Sequence, residues 1–492
     1  MPSPCRAPHR FRQFGHRLAH RSLLPALVAS VMALPAQAAD LLTIARDALD
    51  DNAELASTRA QQGSVEAGRD VARADLLPQL GATGSVAHNR QYESQSAEGG
   101  AAAMPGQGGG TQDDAYNSVS LGLEATQALY NAIDSREVER AEREIDQQLY
   151  QLAATEQQVL IDVATAYFEI LRAHEILEAR RAQERAIGRQ LEQAREQFEV
   201  GLIAVTEVEE AKAAFDQARA ERISAESNLQ VNFEALERLT GERYSSIEAL
   251  GDEMPIAPPT PNERDAWVEL AIENSPLVLA SLAGVEVSRS SVDIARAGRL
   301  PTLDAFANYQ YADSDSDGLS GHDSDSQVGV RLDVPLYTGG RTSASVRQNT
   351  YLLESSQYDF EAQRRDTIQQ VRSRYTQVSN DVSTVEARAQ AIVSNQSALD
   401  ATRAGYEVGT RNIVDVLNAE QNLYNAIADH ASARYDYVIN RLTLRQQAGL
   451  LDEAALQEVN DWLGGDSVSF TLPEEDAAHD AALDIGEPPT PQ

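Results

Sequence analysis

The sequence predicts a mainly α-helical chain built from two structural repeats, with long coiled-coil helices and membrane β-strands. Two segments 208 positions apart read nearly alike, EVGLIAVTEVEEA at 199–211 and EVGTRNIVDVLNA at 407–419. Long stretches in both halves lack proline and place apolar residues three and four positions apart, which is typical of coiled coils. Each half also holds two segments of about ten residues with partial period-two alternation, the length of a transmembrane β-strand.

The first 38 residues are predicted to be a secretory signal peptide. Five arginines and no acid precede an apolar stretch at 23–34, which leads to the small-residue motif Ala36-Gln37-Ala38. This stretch is too short to span a bilayer, because a spanning helix needs about 20 residues. Removal of the five arginines takes the formal net charge from −35 to −40, which argues against nucleic-acid binding.

The repeat also determines the predicted domain boundaries. ARADLLPQL at 72–80 recurs as ARAGRLPTL at 295–303, and the interval from this motif to the next matching tyrosine is 50 residues in one copy and 34 in the other. Such a variable interval indicates an exposed loop between two strands. The predicted organisation is a signal peptide at 1–38, a first repeat at 39–254 with a β-hairpin at 80–130, a linker at 255–264, a second repeat at 265–451 with a β-hairpin at 302–337, and an acidic, partly disordered tail at 452–492.

One helix of each repeat is predicted to be much longer than the others. Residues 341–404 contain no glycine or proline, and a helix of about 65 residues is roughly 98 Å long. The helix before the strands and the helix after the Glu-Val-Gly turn together hold about 63 residues. Two short helices stacked end to end are therefore expected to run beside one long helix.

The four predicted strands cannot close a barrel by themselves, and open strand edges do not occur in lipid. The chain must therefore assemble around an axis, and three subunits give twelve strands. The predicted assembly is a trimeric 12-stranded outer-membrane β-barrel, four strands per chain, that continues into a long α-helical periplasmic barrel. The alternative is a structural trimeric coiled-coil protein of the cell envelope without channel activity.

Several consecutive motifs resemble the TolC family of outer-membrane efflux and secretion proteins. They are LLPQLG, LPTLD, VPLYTGGR, YEVGTRNIVDVLNAEQNLYNA and ARYDYVINRLTLRQQAGLL, and the resemblance covers about residues 40–451. It implies a homotrimer in the outer membrane of a Gram-negative bacterium, which is gated at its periplasmic end. It also implies an exit duct for tripartite drug efflux, type I protein secretion or both. The implied partners are a periplasmic adaptor protein, an inner-membrane RND or ABC pump and outer-membrane lipid, but no nucleic acid.

The resemblance further implies a gate at the two Glu-Val-Gly turns. The residues that match the family's gate network are Thr206 and Glu207 in the first copy and Tyr406 and Arg411 in the second. Glu207 stands where the family commonly has Asp. An arginine has several N–H donors, and carboxylate, hydroxyl and phenol oxygens can accept hydrogen bonds from them. The four residues can therefore form one hydrogen-bond network.

Two more sets of residues follow from the same resemblance. Asp415 matches the family's constriction acid, whereas Asn418 stands where the family often has a second Asp. Three copies of Asp415 would form a charged ring that favours cations, and Asn418 would weaken it relative to a double ring. The residues that match the adaptor-docking tips are Val200, Gly201, Leu202, Val408, Gly409 and Thr410.

No motif in the sequence points to catalysis, to a metal or to a cofactor. The acidic segment DSDSDG at 313–318 resembles the start of a calcium loop, but its twelfth position is Ser324 instead of Glu. Nucleophile motifs and phosphate-binding loops are not found. We therefore expect a protein that is not an enzyme and that binds neither metal nor cofactor.

Overall fold

The computed structural model describes residues 38–93, 112–251, 254–314 and 321–469. The predicted signal peptide up to residue 37 lies outside the described residues, as do most of the glycine-rich loop of the first hairpin and the end of the predicted tail.

Nine helices occur in the described residues, and both halves of the chain use the same set of lengths. Two of them, of 68 and 67 residues, far exceed the rest and measure about 100 Å each. The helices are α1 Leu41–Asp51, α2 Ala53–Ala74, α3 Ala132–Glu199, α4 Val205–Thr240, α5 Arg264–Asn274, α6 Pro276–Ala297, α7 Arg341–Glu407, α8 Ile413–Gln447 and α9 Glu453–Asn460.

Each long helix runs beside two shorter helices that are stacked end to end. At the first junction, Asn52 accepts hydrogen bonds from the first backbone N–H groups of α2, while its Nδ2 donates to Leu239 O near the end of α4, 3.0 Å away. At the second junction, Gly449 follows α8 with φ +74°, and a Cβ there would lie 2.2 Å from Asn274 O just before α6. Only glycine fits this position, for both its conformation and its space.

Four long strands form one antiparallel sheet. They are β1 Gln79–Glu93, β2 Gln112–Tyr130, β4 Thr302–Ser314 and β5 Gly321–Asp333. Their order in the sheet is β1-β2-β4-β5, so β1 and β5 are its edges. The strands hold 13 to 19 residues and are longer than the predicted ten, and β5 ends before the predicted hairpin boundary at 337.

The two faces of this sheet differ in polarity because side chains alternate along each strand. The register places Val86 opposite Val119 and Ala305 opposite Val330, whereas Ser85 faces Ser120 and Asn308 faces Gln327. The apolar face is exposed to solvent in the single chain. Its exposed large side chains include Leu80, Val86, Leu121, Leu123, Val328, Val330 and Leu332.

A second, two-stranded sheet covers one side of the helical layer halfway along it. Strand β3, Ser246–Leu250, pairs antiparallel with β6, Leu463–Ser469. Together with α1, α5 and α9 they bury Tyr167, Tyr435 and Tyr437 in the largest apolar core of the described residues. The first part of the predicted tail is therefore a helix and a strand of this core.

None of the helices in the described part of the chain is, by itself, long and apolar enough to cross a membrane. The pair α5 and α6, bent by 45° at its break, meets the criteria of length and composition when taken together.

Candidate gate at the two helical turns

The two Glu-Val-Gly turns have the same backbone geometry. Val200 and Val408 end α3 and α7 at φ −92° and −93°, and the glycines that follow both have φ +75°. In each turn, the second residue after the helix-ending valine donates its N–H to a carbonyl in the last helical turn at 2.8 Å. This is the glycine-dependent helix end in which late N–H groups satisfy otherwise unpaired carbonyls.

The predicted docking tips are at these turns and point away from the helical layer. The side chains of Val200, Leu202 and Val408 are 70–74% exposed, and nothing lies near the position of a Cβ on Gly201 or Gly409. Thr410 is exposed as well, and its hydroxyl donates to Gly405 O. Each turn therefore presents a small apolar tip to solvent in the single chain.

Tyr406 contacts the first-copy coil, but through a residue that the sequence did not indicate. Its hydroxyl donates to Gln197 Oε1 at 3.0 Å, which joins the end of α7 to the end of α3. Burial raises the pKa of Tyr406 above its ordinary value, and the nearby charge of Glu207 adds to this increase. Tyr406 and Glu207 are therefore close, but the hydrogen bond of the phenol goes to Gln197.

Arg411 does not reach the first-copy coil within the described chain. Its Nη1 lies 3.9 Å from Asp415 Oδ2, one helical turn further along the same segment. Its aliphatic stem packs on Gly405, where a Cβ would lie 2.8 Å from Arg411 Cγ. Thr206 is exposed and Glu207 half-buried in the first turn of α4, so the structure does not bring them to Arg411 within one chain.

Asp415 caps the helix that follows the second turn. Its backbone N–H donates to Asn412 Oδ1 at 2.8 Å, and its carboxylate accepts the N–H of Asn412 at 3.3 Å. This reciprocal capping box satisfies two otherwise unpaired donors and holds the carboxylate at the start of α8. Asn418 is exposed less than one turn further along.

An ion pair with a buried carboxylate lies about 10 Å from the second turn, at the seventh residue after α8 begins. Glu420 is fully buried, and its Oε1 accepts from Arg403 Nη2 of α7 at 2.7 Å and from Gln190 Nε2 of α3 at 3.4 Å. Glu420 Oε2 and Arg403 Nε have no hydrogen-bond partner. This cluster, Arg403–Glu420–Gln190, is a second polar contact between the two coils.

Sequence reasoning missed this cluster, although one signal was available. Glu420 occurs at the three–four spacing of Ile413, Val416, Leu417 and Leu423, all of which are buried. An acid in an apolar helical stripe needs a buried partner, because an unpaired charge is costly inside a protein. The partners come from other segments, so the spacing could reveal the acid but not Arg403 or Gln190.

Apolar contacts accompany the polar ones at this end of the molecule. Ile187, Leu191 and Ala194 of α3 pack with Ala211 and Ala218 of α4 and with the first turns of α8. Small alanines allow the helices to approach closely, and the buried set is much smaller than the core around β3 and β6. In the described chain the two coils are therefore joined near the turns by few apolar residues and by the polar contacts of Tyr406 and Glu420. Further along, Arg180 of α3 donates to Asn425 Oδ1 of α8 at 2.8 Å.

Comparison with known proteins identifies the chain's relatives. The family described as outer membrane efflux protein matches residues 44–242 and 267–450, which is most of the sequence. The chain belongs to the outer membrane efflux protein family. Residues of both repeats lie in the matched ranges, so the assignment covers both turns and the sheet.

Individual relatives agree with this family. Outer membrane protein TolC of Vibrio cholerae is 34% identical over 447 residues, which cover 89% of this chain and 98% of the relative. Alkaline protease secretion protein AprF of Pseudomonas aeruginosa is 35% identical over 62% of this chain and 64% of the relative. The crystal structure of CusC, described as forming a transmembrane channel, has a TM-score of 0.70 at 18% identity and covers 83% of this chain and 92% of that one.

These matches confirm the resemblance, the fold class and the location that the sequence predicted. The chain is an outer-membrane efflux protein that extends into the periplasm, with a helical tunnel part and a β part. The matches favour an outer-membrane exit duct over the alternative of a structural envelope protein without channel activity. The family is one of efflux ducts and not a known family of enzymes.

Proposed function

We propose that three copies of this chain form a conduit through the outer membrane and that its periplasmic mouth is closed by the two turns. The observation that carries the proposal is the open four-stranded sheet, whose apolar face is exposed and whose edge strands β1 and β5 lack a second neighbour in the described chain. Lipid does not tolerate open strand edges, so the edges must pair between copies. Three copies supply twelve strands around one passage.

The gate of this conduit consists of contacts that hold the α7–α8 coil against the α3–α4 coil. Within one chain these are the Tyr406–Gln197 hydrogen bond and the Arg403–Glu420–Gln190 cluster. Arg411 is 61% exposed and only loosely paired with Asp415. Thr206 and Glu207 are therefore proposed as its partners across the contact between subunits, where three copies of each weak pair add up.

Asp415 is proposed to line the constriction of the closed mouth. Its carboxylate is one-third exposed beside the second turn, and three copies around an axis form a ring of negative charge. Asn418, three residues along α8, adds hydrogen-bonding groups but no charge. The ring should favour cations and bind multivalent cations more weakly than a mouth with two acidic rings.

The proposed partners follow from the exposed tips and from the relatives. The apolar tips at Val200–Leu202 and Val408–Thr410 suit contact with the helical tips of a periplasmic adaptor, which connects the conduit to an inner-membrane RND or ABC pump. One relative is named a protease secretion protein and the family is named for efflux, so both drug efflux and type I secretion are proposed. The conduit itself is passive and catalyses nothing.

Single-channel recording of the mature protein in planar lipid bilayers tests the conduit and the gate together. Arg411→Ala should increase the open population at least about threefold, because three weak pairs of about 0.2–1 kcal/mol are lost. Arg219→Ala, an exposed arginine on α4, is the matched control and should behave like the wild type. A wild type that never conducts would refute the conduit, whereas equal behaviour of both variants would remove Arg411 from the gate.

The constriction has its own test in the same recordings. Asp415→Ala should lower the preference for cations over anions and weaken block by divalent cations, because the ring loses its charge. Asp400→Ala on the exposed side of α7 is the control of equal charge change. If Asp415→Ala keeps both properties while the channel conducts, the constriction lies elsewhere.

A further inference from the structure

A cavity of about 530 Å³ lies beside the second junction, where α8 ends and α6 begins. Side chains of α2, α3 and α7 complete it. Eight glutamines line the cavity, whereas Glu54 is its single charged residue. The glutamines include Gln61, Gln148, Gln151, Gln158, Gln370 and Gln447.

This glutamine cavity opens on the side of the helical layer opposite the small sheet. Residues two, five or nine positions apart lie on roughly opposite faces of a helix. On α3, Tyr167 donates to Glu248 O of β3, and Gln158 is nine positions away. On α7, Arg372 lies 3.7 Å from Asp265 of α5, and Gln370 is two positions away.

On α8, Arg441 and Arg445 pair with Glu458 of α9, whereas Gln446 donates to Gln158 Oε1 of α3 at 3.0 Å and so lies on the side of Gln158. Three helices thus turn their glutamines away from the covered side. In a tunnel wall whose outer side carries α5, α9 and the small sheet, the cavity faces the passage.

Several of these amides have hydrogen-bonding capacity that the described protein does not use. Gln61, Gln148 and Gln151 have no side-chain partner within the described residues, and Gln447 Oε1 is buried without a partner. Gln157, by contrast, donates to Gly449 O at 3.1 Å and helps to hold the junction. Buried polar atoms are almost always hydrogen-bonded, so the unpaired Gln447 Oε1 points to a ligand at the cavity wall. Gln61 and Gln151 are exposed and Gln148 is half-buried, so their amides are accessible to the same ligand.

The lining determines which ligand chemistry fits. Each glutamine presents one carbonyl acceptor and two N–H donors, which match the donor and acceptor of a peptide group. The described lining residues include no aromatic side chain, on which a sugar ring or an aromatic drug would stack, and no cation to hold an anion. Uncharged, extended polypeptide is the class that this surface complements.

We propose that the glutamine cavity is a binding site for uncharged polypeptide segments in transit through the tunnel, an inference that rests on the proposed conduit function. Peptide groups of the passing chain exchange hydrogen bonds with the free amides of Gln61, Gln148 and Gln151. Contacts of this kind are individually weak and independent of side-chain sequence, so a polypeptide is held only briefly and is not trapped.

Single-channel recording with a neutral glycine–serine peptide of about 20 residues as the probe tests the site. The wild type should show transient blocks, and their mean dwell time should fall about tenfold in the Q148A/Q151A variant, which loses two unpaired amides per subunit. The matched control is Q217A/Q230A, because these two glutamines of α4 lie outside the cavity and bond only to acids one turn along their own helix.

Each outcome bears on a separate claim. A wild type without conductance refutes the conduit, whereas a conducting wild type whose peptide blocks have equal dwell times in Q148A/Q151A refutes the site. A neutral oligosaccharide of similar mass serves as the second probe. If its blocks shorten in Q148A/Q151A as those of the peptide do, the assignment to peptide groups is overturned.

Discussion

The two turns share a backbone and differ in nearly every side chain that bears on gating. Val200-Gly201 and Val408-Gly409 have dihedral angles within a few degrees of each other. At positions 208 apart, however, Phe198 corresponds to Tyr406, Ile203 to Arg411, Ala204 to Asn412 and Lys212 to Glu420. The first copy carries apolar, uncapped or exposed residues where the second carries hydrogen-bonding groups and a buried charge.

This difference shows how a duplicated unit can acquire two roles without a change of fold. The backbone of the turn depends on its glycine and on local hydrogen bonds, so it tolerates different neighbours. Helix α4 begins at Ala204 without a side-chain cap, whereas α8 begins with the Asn412–Asp415 capping box. In the proposed gate, the second coil would therefore supply the tyrosine, the arginines and the buried acid, and the first coil would supply their partners.

The largest expected effect is on the buried ion pair. Arg403→Ala leaves the carboxylate of Glu420 buried without its cation, which should lower the local stability of α8 by about 2–3 kcal/mol. That is below the full cost of breaking a buried pair, because the Arg403 side chain is 39% exposed. Hydrogen exchange of amides in the first three turns of α8 measures this opening.

The equivalent residue in the first copy is the control for this variant. Arg195 is exposed and has no ion-pair partner in the described chain, so Arg195→Ala should change exchange in α4 by less than about 0.5 kcal/mol. Equal protection of α8 in the wild type and in Arg403→Ala would show that the pair contributes nothing to the contact between coils.

The glycines should respond equally, because their backbones are the same. Gly201→Ala and Gly409→Ala each force an L side chain to φ +75°, at a cost of about 1–2 kcal/mol, although space for a Cβ is available. Local hydrogen exchange at each turn is the measurement. A marked difference between the two variants would contradict the view that backbone and side-chain roles are separate.

The smallest expected effect concerns the phenol of Tyr406. Tyr406→Phe makes the second copy resemble Phe198 of the first and removes one hydrogen bond to Gln197, worth about 1 kcal/mol. The open population in single-channel recordings should rise at least about fivefold, which is the factor for the bond of one subunit, because three copies lose it. Phe198→Tyr is the reciprocal variant, and because its position is 44% exposed it should leave the open population unchanged.

This contact also has a predictable dependence on pH. Because burial raises the pKa of Tyr406, the phenol remains a donor through pH 10 and loses its proton only at higher pH. The contribution of the hydrogen bond is therefore present below the ordinary pKa and is lost as pH rises through the higher folded value. The measurement is the open population of the channel as a function of pH. If the wild type opens with a midpoint below pH 10 and Tyr406→Phe does not, the prediction of a raised pKa for Tyr406 is wrong.

The architecture was predictable because its causes are local in the sequence. The missing prolines, the three–four spacing and the duplicated turns predicted helices of about 65 residues, and α3 and α7 hold 68 and 67. Strand length was underestimated because the ends of β1 and β5 are polar. Pairing of backbone groups with the neighbouring strand, which a hydrophobic pattern cannot show, extends them beyond their apolar centre.

The candidate site was less predictable because its contacts join distant segments. The charge of Glu207 acts on Tyr406, but the hydroxyl of Tyr406 bonds to Gln197, which is 209 positions away and which no spacing rule indicates. The pairing of Arg403 and Glu420 with Gln190 depends on how α3 packs against α8. The gate roles of Thr206, Glu207, Arg411 and Asp415 stay predictions.

The junctions between stacked helices are also the places where the chain can accept insertions. Helices α3 and α7 are each continuous past the junction of the shorter helices beside them. At Gly241 and Gly449 the chain leaves the helical layer to form the small sheet and α9. Segments added at these two exits lengthen only the surface segments that lead to the small sheet and α9. An insertion at either exit is therefore expected to enlarge the small sheet and to leave the packing of α3 and α7 unchanged.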